Sequence, residues 1–166
     1  QPSIDVSQSR YAPLGSSIDP SASQWLIPMC ISYDSGGARK SNCTMLRESN
    51  QTIMLDSETC PSQLLPNADG AGYYRFTMNA TWLDGLVEHA STLSASEALV
   101  LVDSLDASFR SGQTKASSYV PGMATLVNHP DWDVAESAMD KLESSINVLS
   151  AEEQGQVSSG LGNIVK

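Results

Sequence analysis

The sequence predicts an antiparallel β-sandwich of the immunoglobulin-like type, followed by an α-helical domain. Three observations predict this fold class. Before residue 80, apolar and polar residues alternate in short runs separated by turns, as in antiparallel strands. From Trp82 onward, apolar residues recur three and four positions apart, as in helices. Few residues separate the two patterns, so we predict a sandwich domain at residues 1–79 and a helical domain at residues 80–166.

Short alternating runs in the first half predict the strands. Residues 2–11 form the first run, with Ile4 and Val6 on one face. The strongest alternation covers residues 25–33 and places five side chains on a core-facing side: Trp25, Ile27, Met29, Ile31 and Tyr33. Because Pro28 lacks a backbone N–H, we expect this strand to lie at a sheet edge or to carry a bulge at Pro28.

A hairpin is predicted over residues 43–55, with its turn at residues 48–51. Pairing the two arms of this hairpin brings Cys43 within a few residues of Cys60. We therefore name Cys43 and Cys60 as a candidate disulfide in an oxidising compartment. Cys30 lies in an apolar run, and we expect it to be a buried free thiol.

The last predicted strand covers residues 73–78 and follows a turn at Asp69-Gly-Ala-Gly72. Five helices are predicted after it, over residues 81–92, 95–110, 114–128, 131–149 and 151–164. Their starts are marked by Asp131 as an N-cap and by three capping-box patterns: Thr81-x-x-Asp84, Ser94-x-x-Glu97 and Ser150-x-x-Glu153. Antiparallel helices joined by short loops are typical of a bundle or of the start of an α-solenoid.

Composition and charge restrict the partners and the compartment. The net charge is −10 and the pI is near 4.4, whereas a nucleic acid or an anionic membrane requires a basic face on its partner. We therefore expect neither partner. No apolar run approaches the ~20 residues that span a bilayer, so a soluble chain is expected. Because the sequence begins with Gln1, we expect a processed chain or an excised piece of a longer one.

The sequence offers little evidence for catalysis. Asp103 and Asp106 lie three positions apart on a predicted helix, and paired carboxylates on one face can act as acid and base. The favoured interpretation is that the two carboxylates are partners of a nearby cation such as Arg75 or Arg110, or are simply solvated. Neither histidine has a second ligand at metal-binding spacing, so no zinc site and no cofactor are expected in this chain.

Two other patterns have ordinary explanations. Three asparagines match the N-glycosylation sequon, and the abundance of Ser and Thr accounts for these matches: Asn42, Asn50 and Asn79. Four aromatic residues offer a ligand platform, although aromatic residues in alternating strands more often belong to the core: Trp25, Tyr73, Tyr74 and Trp82.

Gly72-Tyr-Tyr-Arg-Phe76, after an Asn-x-Asp-Gly turn and before Trp82, resembles the Gly-Tyr-Tyr-Arg-Val signature of zinc aminopeptidases of the alanyl/leucyl aminopeptidase (gluzincin) family. Other motifs agree with that family in order along residues 2 to 150: Gln8-Ser-Arg-Tyr11, Trp25-Leu-Ile-Pro28, Leu93 to Gly112, and Trp132. Across these motifs, the residues taken as a structural signature are Gly72, Tyr73, Tyr74, Arg75, Trp82, Trp25 and Pro28.

The resemblance implies the family's β-sandwich third domain and the first helices of its C-terminal helical domain. It also implies an incomplete sandwich, since family members carry one more strand before the Gln-x-Arg-Phe strand. The family's Gly-x-Met-Glu-Asn loop and His-Glu-x-x-His zinc site have no counterpart in the sequence. If the chain is a fragment of such an aminopeptidase, the zinc would be bound in another part of the full-length parent enzyme. This chain alone would then be inert.

The first functional hypothesis is thus a non-catalytic C-terminal fragment of a bacterial zinc metallo-aminopeptidase, a hydrolase that removes N-terminal residues from peptides. The fragment would brace the catalytic domain of the same parent chain and begin to enclose its peptide cavity. We expect a periplasmic or secreted location, with the cytoplasm as the alternative. The second hypothesis is a free-standing interaction or carbohydrate-binding module with exposed aromatic contacts. A third is an enzyme that uses Asp103 and Asp106.

Overall fold

The computed structural model describes residues 1–21, 23–146, 150–151 and 155. The chain divides into two compact units, Gln1–Tyr74 and Arg75–Lys166. The described elements are the strands β1 (Ser3–Ser7), β2 (Ile27–Ser35), β3 (Ala38–Leu46), β4 (Asn50–Met54) and β5 (Ser62–Leu65), and the helices α1 (Ala80–Glu88), α2 (Ala95–Arg110), α3 (Ala116–Leu126) and α4 (Trp132–Ser145). None of the described helices combines the length and apolar character that a membrane crossing requires.

The strands form two antiparallel sheets, which confirms the predicted order of antiparallel strands followed by helices. One sheet pairs β1 with β4, and the other has the order β3-β2-β5. Short 3₁₀ turns at Ala68–Gly70 and Ala90–Thr92 supplement the four helices. The fold is therefore a mixed β and α fold.

A two-residue turn fixes the register of β2 against β3. Gly36 and Gly37 have φ angles of 61° and 77°, the left-handed values that a tight hairpin turn requires. This register places Cys30 directly opposite Cys43, with their Cα atoms 4.0 Å apart, and the two residues form a disulfide. Disulfides are typical of proteins in oxidising compartments.

The predicted cysteine pairing was therefore wrong. Cys60 is an exposed free cysteine, and Cys30 is bonded rather than free. The error follows from the predicted hairpin at residues 43–55, which does not form. Strand β3 is longer than predicted and pairs with β2, whereas β4 pairs with β1.

Side chains rather than a ladder connect β3 to β4. The Asn42 Nδ2 donates to the Met54 carbonyl at 2.6 Å. The Gln51 Oε1 accepts from the Arg47 backbone N–H at 3.1 Å, and its Nε2 donates to the Met45 carbonyl at 3.4 Å. The two sheets are thus joined by hydrogen bonds at the point where the sequence predicted continuous pairing.

Pro28 lies at the end of β2 where only β3 pairs with it. Its partner is Met45, and β5 reaches β2 only at Ser32 and Asp34, where the register shifts. The predicted edge position or bulge at Pro28 was wrong, since β2 is the central strand of its sheet and its register shift lies at Ser32 and Asp34, although only β3 reaches the end of β2 that carries Pro28. The missing N–H of Pro28 therefore interrupts no ladder bond to β5.

The core-facing side of β2 agrees largely with the predicted alternation. Met29, Ile31 and Tyr33 are buried, and Ile27 is half-buried. Trp25 does not follow the pattern, because it precedes the strand and is 40% exposed. Its backbone is held by Gln8, whose Oε1 accepts the Trp25 N–H at 2.7 Å.

The segment 73–78 is not a strand, which corrects the prediction. Its side chains do alternate between exposed and half-buried, as the sequence pattern requires. The segment has no ladder partner among the described strands. Its polar groups after Tyr74 bind side chains of α2 instead, as shown below.

The helices match the predicted helices closely. Helix α2 has the predicted bounds, and Ser94 and Glu97 form the predicted capping box. Asp131 caps α4 as predicted, by accepting two backbone N–H groups. Helix α1 instead begins after Asn79, whose Oδ1 accepts the Trp82 N–H at 3.0 Å, so the Thr81 capping box was wrong. The predicted helix over residues 151–164 and its capping box at Ser150 lie largely outside the described residues.

Candidate functional site

The two aspartates singled out in the sequence both lie in an ion cluster on α2. The Arg75 Nε lies 2.6 Å from the Asp103 Oδ2. The Lys141 Nζ, on α4, lies 3.6 Å from the Asp103 Oδ1 and 3.4 Å from the Asp106 Oδ2. Lys141 thus bridges the two carboxylates, and the cluster connects α4 and Arg75 to α2.

Asp106 is the buried member of this cluster, with its side chain 6% exposed, whereas that of Asp103 is 42% exposed. The Arg110 Nε donates to both Asp106 carboxylate oxygens at 3.0 Å. The Tyr119 hydroxyl donates to the Asp106 Oδ1 at 3.3 Å. Two cations and a hydroxyl donor offset the free-energy cost of removing the Asp106 carboxylate from water.

Tyr119 anchors α3 in this cluster. It is fully buried, and its ring stacks on Phe109 with centroids 4.1 Å apart. Its hydroxyl lies 2.8 Å from the Ser145 Oγ. Burial raises the pKa of Tyr119 to about 12, and the charge of Asp106 adds to the rise, whereas the Ser145 hydrogen bond and the charge of Arg110 oppose it.

Alkaline pH is therefore expected to destabilise the helical unit through Tyr119. Because its pKa is raised in the folded chain, the associated stability is complete below pH 10 and is lost as the pH rises towards 12. Two pKa units correspond to about 2–3 kcal/mol. Urea unfolding across this pH range should show a smaller loss of unfolding free energy at alkaline pH in Tyr119→Phe than in the unsubstituted chain. Equal losses in the two proteins would contradict this assignment.

The extended segment after Tyr74 is bound along α2 by further polar contacts. The Phe76 backbone N–H donates to the Ser104 Oγ at 3.2 Å. The Ser108 Oγ donates to the Thr77 Oγ1 at 3.1 Å and lies 2.7 Å from the Thr114 Oγ1. The crevice along this segment has a volume of about 10 Å³. It has room for about one water molecule.

The arrangement favours a structural role over acid–base chemistry. The predicted pairing of the aspartates with Arg75 and Arg110 is confirmed. A general base must reach a substrate proton, and Asp106 is buried beneath its own cations. The crevice beside α2 is also far smaller than the several hundred Å³ of a typical ligand pocket.

Sequence reasoning missed Lys141 and Tyr119. Lys141 lies 38 and 35 positions after the two aspartates, and Tyr119 lies on a different helix. One signal was available: Lys141 lies three positions after Ala138 and four before Ser145, both buried, so its side chain starts on the same face of α4. The contact between Lys141 and the two aspartates could be predicted only once the packing of α2 against α4 was known.

The turn before the signature residues is built around Asn67, which is 1% exposed. Its Nδ2 donates to the Gly72 carbonyl and its Oδ1 accepts the Gly72 N–H, both at 2.8 Å. A Cβ at position 72 would lie 2.1 Å from a ring atom of Tyr74. The glycine is therefore needed because the Tyr74 ring lies against its backbone.

Tyr74 ties this turn to the strands. It is half-buried, and its hydroxyl donates to the Pro66 carbonyl at 2.6 Å. Burial raises the pKa of Tyr74 to about 12, against the opposing effect of a backbone hydrogen bond from Cys30. The hydroxyl thus contacts the disulfide-bonded part of β2.

The aromatic residues do not share one environment. Tyr73 is fully exposed and Trp25 is 40% exposed, whereas Tyr74 and Trp82 are half-buried. The general expectation of core aromatics is therefore wrong for Tyr73 and Trp25. Trp132 is also exposed, at the first position of α4.

The histidines serve local structure in the described chain. The His89 Nδ1 lies 2.9 Å from the Gly85 carbonyl. The buried His129 accepts the Asp131 N–H on its Nδ1 at 3.1 Å. Within the described residues, no group of three or more His, Cys, Asp or Glu side chains is arranged to hold a metal ion.

Comparison of the sequence with protein-family models found no match, and comparison with curated proteins found none either. Any functional statement therefore depends on the contacts described above and on the resemblance of short motifs.

Proposed function

We propose that this chain is a non-catalytic scaffold from the C-terminal part of a bacterial zinc metallo-aminopeptidase. One observation carries the proposal. Arg75, the arginine of the signature-like stretch, is paired with Asp103 in the cluster that holds α2 and α4. Arg75 thus has a structural contact that explains why a scaffold would need it.

The contacts of two other signature-like residues, Gly72 and Tyr74, agree with the same role. Gly72 accommodates the Tyr74 ring, and Tyr74 bonds the Pro66 carbonyl. Neither contact exposes a reactive group to a substrate-sized cavity. In the proposal, zinc and the residues that activate water belong to the catalytic domain of the parent chain, which is this chain's partner.

The finer fold is part of the proposal. We assign the two antiparallel sheets to an incomplete immunoglobulin-like sandwich that braces the catalytic domain. The helices would begin a solenoid-like wall around the peptide cavity. The Cys30–Cys43 disulfide supports a periplasmic or secreted location, and the charge of −10 favours neither nucleic acid nor anionic membrane as a partner.

Two measurements test the proposal. The complete reading frame should encode His-Glu-x-x-His with a downstream Glu before the segment that corresponds to Gln1. The purified chain, incubated with equimolar zinc, should release no chromophore from an aminoacyl-nitroanilide. An unrelated upstream domain, or zinc-dependent hydrolysis that Asp103→Asn abolishes, would refute the scaffold role.

The exposed aromatic residues favour one alternative, a free-standing interaction or carbohydrate-binding module. Tyr73 and Trp25 lie outside the core of the strand-containing unit, as contacts for a sugar ring would. Titration with a panel of oligosaccharides should then change the tryptophan fluorescence of the unsubstituted chain and of Trp132→Ala, but not that of Trp25→Ala. No response from any sugar would remove this alternative.

A further inference from the structure

All three N-glycosylation sequons end in threonine: Asn42-Cys-Thr44, Asn50-Gln-Thr52 and Asn79-Ala-Thr81. Serine is far more abundant than threonine in this chain, so chance matches should mostly end in serine, and the abundance of the two residues explains these three sequons less well than the sequence analysis suggested. The structure gives the three asparagine side chains different environments. This difference allows one acceptor to be distinguished from the others.

Asn50 presents its amide to solvent. It is exposed, it is the first residue of β4, and the residues at 47–49 before it are exposed as well. No hydrogen bond engages its side-chain nitrogen in the described chain, whereas its backbone pairs with Ser7 at the end of the ladder. A glycan on this nitrogen therefore leaves the contacts of β4 in place.

Asn42 is the opposite case. It is half-buried in β3, and its Nδ2 donates to the Met54 carbonyl in the hydrogen bond that links the two sheets. The next residue, Cys43, is held in the disulfide. A glycan on the Asn42 nitrogen would have to displace the Met54 carbonyl and separate β3 from β4.

We propose that Asn50 is an N-glycosylation site and that Asn42 is unmodified in the folded protein. The proposal takes the oxidising compartment that the Cys30–Cys43 disulfide indicates to be a secretory pathway that contains an oligosaccharyltransferase, and it does not rest on the bacterial aminopeptidase scaffold. The sequon and the exposure are separate observations at Asn50, and the compartment inferred from the disulfide agrees with both.

The reaction attaches an oligosaccharide from a polyprenyl-diphosphate donor. The Asn50 Nδ2 forms a bond to C1 of the first sugar as the bond between C1 and the diphosphate oxygen breaks. Polyprenyl diphosphate leaves, and the amide proton passes to a base of the transferase. The Asn50 carbonyl oxygen is unchanged, and no oxidant or reductant takes part.

The test is peptide mapping of the full chain secreted from a eukaryotic host, after release of glycans by peptide-N-glycosidase. An Asn79→Asp background removes the third sequon and retains an acceptor oxygen at the cap of α1. In this background we expect one glycan, at Asn50, on disulfide-bonded protein. The glycan should be lost in Asn50→Asp and retained in Thr52→Ser, which keeps the sequon.

Two results would overturn the proposal. One is an unmodified Asn50 in secreted protein that contains the Cys30–Cys43 disulfide, because that protein has passed through the compartment of the transferase. The other is a glycan at Asn42 in the same disulfide-bonded protein. Thr44→Val removes the Asn42 sequon and retains the asparagine, so it should leave the glycan mass unchanged.

Discussion

Replacing Cys30 and Cys43 together by alanine is expected to destabilise the strand-containing unit by about 2–4 kcal/mol. The disulfide closes a loop with a sequence separation of 13 and fixes the central hairpin of the three-stranded sheet. Its loss gives the unfolded chain more conformations. Urea unfolding, with hydrogen exchange of the β2 and β3 amides, measures the effect.

The matched control is Cys60→Ala. Cys60 is exposed and unbonded, so this substitution should change stability by less than about 0.5 kcal/mol. A stable double variant, or a destabilisation by Cys60→Ala of similar size, would show that the disulfide does not support the sheet. Reduction of the unsubstituted chain by a dithiol should lower its unfolding free energy by about as much as the double substitution does.

Asp106→Ala is expected to destabilise the helical unit by about 2–4 kcal/mol. The substitution leaves Arg110, Lys141 and the Tyr119 hydroxyl without their shared acceptor. The expected loss lies towards the lower end of values for buried pairs, because the two cations are each about one-third exposed and water can partly solvate them. Thermal and urea unfolding would measure the loss.

Asp103→Ala provides the comparison within the same helix and cluster. Its carboxylate is 42% exposed, so breaking its pairs with Arg75 and Lys141 should cause a loss of at most about 1 kcal/mol. Equal effects at the two positions would show that burial does not determine the strength of this cluster. A larger effect at Asp103 would reverse the roles that we assign.

The helices could be predicted because their signals are local. The apolar stripe of α4 and the cap at Asp131 lie within one short segment. The capping box of Ser94 and Glu97 involves residues three apart, and it defined the start of α2 correctly. At α1 the predicted cap at Thr81 was wrong, because the side-chain oxygen of Asn79, two residues earlier, accepts the Trp82 N–H.

Strand pairing could not be predicted with the same success, because it depends on distant residues. The alternation located β1 and β2, but β4 pairs with β1 across more than 40 residues of sequence. A local hairpin from β3 to β4 satisfied the pattern equally well. The two-residue turn at Gly36-Gly37 sets the register that brings Cys30 opposite Cys43, and we did not derive that register from the sequence.

The candidate site was predicted in part for the same reason. Arg110 is one helical turn from Asp106, so their pairing follows from sequence spacing. Arg75 was named as one candidate cation, but its pairing with Asp103 depends on the path of the extended segment, which the sequence does not show. Lys141 required the packing of two helices, which no local pattern contains.

Formation of the Cys30–Cys43 disulfide leaves one free thiol in the chain, that of Cys60. The chain contains three cysteines, so Cys60 is the single position at which a maleimide dye can attach without mutagenesis. It lies just before β5, in the strand-containing unit. A fluorophore at this position would report the unfolding of the strands separately from that of the helices.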